Sequence, residues 1–105
     1  MKIAEILDIL KISDNGCVAL VAPNDAEAKL LLDRFRLSNL LPKSATCTTS
    51  SIKFDKYTLE FLTPKTSYGS RASYFIIEFP DMIPEPDFAD VGMNAEDVLL
   101  CGEIM

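Results

Sequence analysis

Apolar positions along the chain fall into short, separated blocks, and the spacing within each block indicates an element. Ile3, Ile6, Leu7 and Leu10 recur at i, i+3, i+4 and i+7. This predicts a short helix over 3–11 with Glu5 and Asp8 outside the apolar stripe. Ser13, Asp14, Asn15 and Gly16 are turn residues that end it. Residues 17–22, Cys-Val-Ala-Leu-Val-Ala, are apolar without alternation, the pattern of a strand buried on both faces. Asn24, with Glu27 three residues on, reads as a capping box. It opens a helix over 25–39 with Ala28, Leu31, Leu32 and Phe35 inside and a Lys29–Asp33 pair outside, stopped by Leu41 and Pro42. Residues 46–54 and 57–63 are rich in β-favouring types on either side of Asp55 and Lys56, which predicts a hairpin. Residues 73–79 form a further buried strand, stopped by Pro80. Pro80, Pro84 and Pro86 hold the next stretch extended. Asn94 then reads as a cap for a final helix over 95–104, which Gly102 weakens. The expected fold is α/β: a small mixed sheet of about four strands (17–22, 46–54, 57–63, 73–79) with helices 3–11, 25–39 and 95–104.

Composition adds a boundary that the pattern does not show. The 105 residues make one domain with an extended acidic segment over 80–105. Apolar runs are too short to span a membrane, and the first residues do not read as a signal peptide. Net charge is −6, but residues 1–71 sum to +2. Residues 72–105 contain eight acids and no Lys or Arg, for −8. That single-sign third argues against a phosphate backbone as partner.

The inventory also removes several chemistries. There is no histidine, so Ser-His-Asp and Cys-His catalysis cannot be assembled within the chain. Cys17, Cys47 and Cys101 are scattered and make no C-x-x-C pair. We therefore expect buried free thiols in a reducing compartment, with no metal site. Neither G-x-x-x-x-G-K-[ST] nor G-x-G-x-x-G occurs.

One resemblance emerges from the order of the blocks. A short helix is followed by Val18 to Asn24, then Ala28 and Lys29, Leu32 to Arg34, and Leu40, Leu41 and Pro42. Next come the hairpin Ser51–Phe54 with Tyr57–Phe61, the loop Tyr68 to Ala72, and Tyr74 to Pro84. Over roughly 3–90 this order resembles the ATPase domain of the phage large terminase subunit, and more loosely the helicase-type P-loop ATPases. In that family the Walker A lysine lies just before the helix matching 3–11. The chain opens at that helix, so we expect no phosphate-binding loop. The resemblance places Glu78 at the magnesium-binding Asp and Phe79 at the catalytic Glu. Phenylalanine cannot orient or deprotonate water, so the resemblance implies a trimmed, non-catalytic relative without a cofactor. It also implies that the sheet edge beside 73–79 is left open, to be covered by the C-terminal segment or by a partner.

Several residues carry competing readings. Glu78 and Asp81 read as a residual metal site or as solvated or hydrogen-bonded acids. Phe79 is an interface anchor or a core aromatic. The Thr46–Ser51 run touches phosphate or lines an edge strand. Lys29, Arg34, Arg36 and Lys43 form a basic patch or a solvated helix face. The expectation we carry forward is a non-enzymatic, phage-type protein-binding module. Its partner would be a packaging or helicase ATPase or a host factor, in the host cytoplasm. A homo-oligomer through the open edge is the other form of partnership. The candidate interface is Glu78, Phe79, Asp81, Glu85, Asp87 and Asp90. The alternatives are a virion or assembly protein and a nucleotide-binding subunit completed by another chain.

Overall fold

A computed structural model of the protein describes residues 1–83 and 97–105. Six strands form one mixed sheet in the order β2-β3-β4-β1-β5-β6. Helix α1 (Ile3–Ile12) leads into β1 (Cys17–Val21), and α2 (Asp25–Arg36) follows. Then come β2 (Thr46–Cys47), β3 (Ser51–Phe54), β4 (Tyr57–Leu62), β5 (Tyr74–Glu78) and β6 (Asp97–Cys101). Strands β4, β1, β5 and β6 run parallel, and β2 and β3 extend the sheet antiparallel beyond β4.

The continuous apolarity of β1 has the expected cause. The strand is central, and its residues 18–21 are fully buried. Val18 and Leu20 face Ile6, Leu10, Leu31 and Phe35 from both helices. Ala19 and Val21 face the other side, beside Phe75 and Ile77 with Ala72 and Ile83. Phe35 meets Phe61 of β4 edge to face at 5.3 Å, which ties α2 to the sheet.

Helix α2 opens as expected: Asn24 Oδ1 accepts a hydrogen bond from the Glu27 N–H at 2.9 Å. It ends at Arg36, three residues before the expected 39. Ser38 Oγ donates to the Phe35 carbonyl, and Asn39 takes a left-handed conformation, φ 62°. These local turn contacts stop the helix before Pro42. Asp33 pairs with Arg36 at 3.1 Å, replacing the expected Lys29 partner. Gly16 turns the chain into β1 at φ +66°, where a Cβ would lie 2.9 Å from the Lys56 carbonyl oxygen. Gly16→Ala is therefore expected to destabilise the protein by about 1–3 kcal/mol, read from the urea midpoint.

Two expected elements are corrected. The strand over 46–54 is two strands, because Thr48 Oγ1 accepts from the Ser50 and Ser51 N–H groups and closes a tight turn. The final helix is instead the strand β6, parallel to β5 with Ile76 opposite Leu99 and Ile77 opposite Leu100. Gly102 and the apolar triplet 98–100 suit a strand, and pairing with β5 satisfies backbone groups that an edge would leave bare. The edge expected to be open is thus covered by the C-terminal segment. The extended stretch expected at Pro84 and Pro86 and the cap expected at Asn94 lie outside the described residues.

Past β6 the chain returns beside its own start. The Ile3 N–H donates to the Met105 carbonyl at 2.8 Å, and the Met105 N–H donates to the Met1 carbonyl at 3.1 Å. Lys2 offers α1 no side-chain cap, so the Met105 carbonyl satisfies one of the helix's first N–H groups. Ile104 is fully buried in the core under both helices.

Candidate functional site: the carboxyl ends of the parallel strands

The parallel neighbour that follows β1 in sequence is β4, on one side; β5 comes next and lies on the other. Strand order therefore reverses at β1–β5, and open α/β sheets gather ligands outside the carboxyl ends of strands at such a point. Glu78 is the last residue of β5. Alternation from Ile76 turns its side chain to the helix-covered face, and it is 0% exposed.

Two groups hold that carboxyl. Glu78 Oε2 accepts the Ile104 N–H at 3.0 Å and lies 3.7 Å from Arg34 Nη1. Arg34 reaches in from α2, donates from Nη1 to the Ile104 carbonyl at 3.1 Å, and comes within 3.8 Å of Glu103 Oε1. Among the described residues, Glu78 Oε1 has no hydrogen-bond partner. Burial pushes the carboxyl above the ordinary carboxylate range; the Ile104 N–H and Arg34 oppose the shift, and Glu27 and Glu103 add to it.

As pH rises through the ordinary carboxylate range, the unfolded chain releases this proton while the native state keeps it. Stability from Glu78 is complete below that range and falls until Glu78 itself ionises. The slope reaches at most about 1.4 kcal/mol per pH unit. Glu78→Gln is expected to remove that slope, measured as the difference between wild-type and variant urea midpoints from the ordinary carboxylate range upward in pH.

Immediately after Glu78 the backbone turns. Phe79 is left-handed, φ 53° and ψ 58°, and its N–H donates to the Cys101 carbonyl at 3.1 Å. A short 3₁₀ turn, Pro80–Met82, follows. Between this turn and the end of β6 lies a cavity of about 540 Å³, lined by Phe79, Pro80, Asp81, Met82, Leu100, Cys101 and Gly102. Met82 is 58% and Leu100 57% exposed.

The expected interface residues therefore part company. Glu78 is inside and cannot be a contact surface, because its strand position points it beneath the helices. Phe79 is half-buried and Asp81 exposed, both on the cavity wall. Glu85, Asp87 and Asp90 lie outside the described residues. Among the described residues no group of three His, Cys, Asp or Glu side chains is placed to hold a metal ion. No described helix is long and apolar enough to cross a membrane.

The basic patch is also divided. Arg34 turns inward to the C-terminal residues, while Lys29 and Arg36 line a groove of about 370 Å³ with Thr48 and Thr49. Arg36 there is bonded to Asp33. Of the three free thiols, Cys47 is exposed on the two-residue outer strand β2, not buried as expected. Cys17 donates to Glu60 Oε1 at 3.2 Å, and burial with that neighbour pushes its thiol up to about 12.

Sequence reasoning gave Arg34, Ile104, Met82 and Leu100 no place at this site. For Leu100 the local signal is weak, because the short apolar run 98–101 fits a strand as well as a helix. Together the fold and this site define a small α/β protein whose carboxyl-end acid is sealed in and whose adjoining strand end displays apolar side chains. No protein-family model and no curated protein matches the chain.

Proposed function

We propose that the protein is a non-catalytic binding module that acts on another protein through the β5–β6 end of its sheet. Descent from the phage packaging and helicase ATPase fold, and a host-cytoplasmic setting, are parts of the same proposal. The observation that carries it is the position of Glu78. A carboxylate serving magnesium must offer its oxygens to a hydrated cation. Glu78 instead holds the backbone of Ile104 and the guanidinium of Arg34 beneath the helices. The surface beside it is apolar and acidic, which suits contact with a protein.

Two measurements test this reading. Magnesium and ATP at millimolar concentration are expected to leave the melting temperature unchanged; a stabilisation of several degrees would indicate a nucleotide site and overturn the proposal. Affinity capture from the native cell, with and without phage infection, is expected to yield a partner whose purified form binds at micromolar concentration. Absence of any such partner also overturns it.

A further inference from the structure

We infer that the cavity between the 80–82 turn and the end of β6 receives an extended segment of a partner protein in which an apolar side chain is flanked by lysine or arginine. This rests on the reading of the protein as a binding module and supplies the chemistry of its partner.

Shape comes first. The cavity walls are built from two separate pieces of chain, 79–82 and 100–102. The Phe79 N–H to Cys101 carbonyl bond ties them together, so the space is formed before a ligand arrives. Phe79, Pro80, Met82 and Leu100 supply apolar wall. Met82 adapts its unbranched side chain to varied apolar partners. Val98 lies two residues before Leu100, on the same face of β6, and is 37% exposed. Large apolar side chains exposed together mark contact sites more often than scattered ones do. At Gly102 a Cβ would meet none of the described residues within 4 Å.

Charge selects the occupant. Asp81 is exposed on the wall, and Glu103 follows the lining residue Gly102. Glu103 is half engaged by Arg34 at 3.8 Å, which leaves Asp81, on the wall itself, as the main attraction for a cation. No Lys or Arg occurs from 72 to 105. Anionic lipid and nucleic acid are repelled, and a second copy of this chain, at −6 overall, matches the site less well than a cationic segment does. A cationic peptide with an apolar anchor satisfies both the wall and its rim.

The probe is a short capped peptide with a central leucine between lysines, titrated into the whole protein and followed by amide NMR. Shifts are expected at Met82 and Leu100 to Gly102, with a dissociation constant on the order of 0.1–1 mM. Replacing the leucine by serine should weaken binding at least about tenfold, and replacing the lysines by glutamate should abolish it. Leu100→Asp separates docking from general attraction. It adds a negative charge, so charge attraction alone would tighten binding, whereas loss of the apolar wall weakens it. Met82→Ser gives the same test without a charge, should Leu100→Asp perturb the fold. Equal binding of the leucine and serine peptides, tighter binding to Leu100→Asp, or shifts confined to other surfaces overturns the inference. If the captured partner still binds the Leu100→Asp protein, this cavity is not the site while the binding-module reading stands. If no partner is captured, the reading itself fails.

Discussion

Phe35→Ala is expected to lower the unfolding free energy by about 3–5 kcal/mol. Phe35 is fully buried and packs edge to face on Phe61. It is also the contact that fastens the last turns of α2 to β4. Truncation removes the transfer gain, the aromatic pair and the filling of the space between helix and sheet. Urea unfolding should show a lower midpoint with the slope unchanged. Phe35→Leu, which keeps most of the volume, should cost less than half as much. A loss below about 1 kcal/mol for the alanine variant would mean that α2 is not held by this contact.

Ile104→Ala carries the second large effect, about 2–5 kcal/mol. Ile104 lies in the main core, with Ile3, Ile6 and Phe35 in the same cluster. Its backbone is held on both sides, by Glu78 Oε2 at the N–H and Arg34 at the carbonyl. Loosening it lets water reach Glu78, so the carboxyl should move back toward its ordinary range and the pH slope should shrink. The double variant Glu78→Gln/Ile104→Ala is then expected to be non-additive in urea unfolding. Additive effects, with the pH slope of Ile104→Ala unchanged, would show that the C-terminal residues do not control the burial of Glu78.

How legible the fold was depends on which contacts each element needs. Helix α2 carries its own start in Asn24 and its own inner face in Ala28, Leu31, Leu32 and Phe35, so the local pattern sufficed. β1 announced a central position because a strand covered on both faces has no polar side to alternate with. The end of α2 was misjudged because Pro42 is a louder stop than Ser38 and Asn39, whose effect lies in hydrogen bonds and a backbone angle. β6 was misread for a stronger reason. An apolar triplet between Asp97 and Cys101 suits helix or strand equally, and the arbiter is the edge of β5, about twenty residues away in sequence.

The candidate site shows the same division more sharply. From the sequence, Glu78 and Asp81 are similar acids at the end of a strand. In the fold one is 0% exposed and the other stands in water.

The sequence by itself determined the α/β class, the two helices of the described chain, the buried central strand, the 51–62 hairpin and the charge imbalance. Each of these follows from local periodicity, turn chemistry or counting. The tertiary structure alone decided the strand order, the pairing of β6, the sealing of Glu78 and the cavity beside Phe79. Those depend on which distant segments meet. Arg34 and Ile104 reach Glu78 only when α2 and the C-terminal residues are both packed on the sheet, and desolvation, which sets the state of that carboxyl, arises only from that packing.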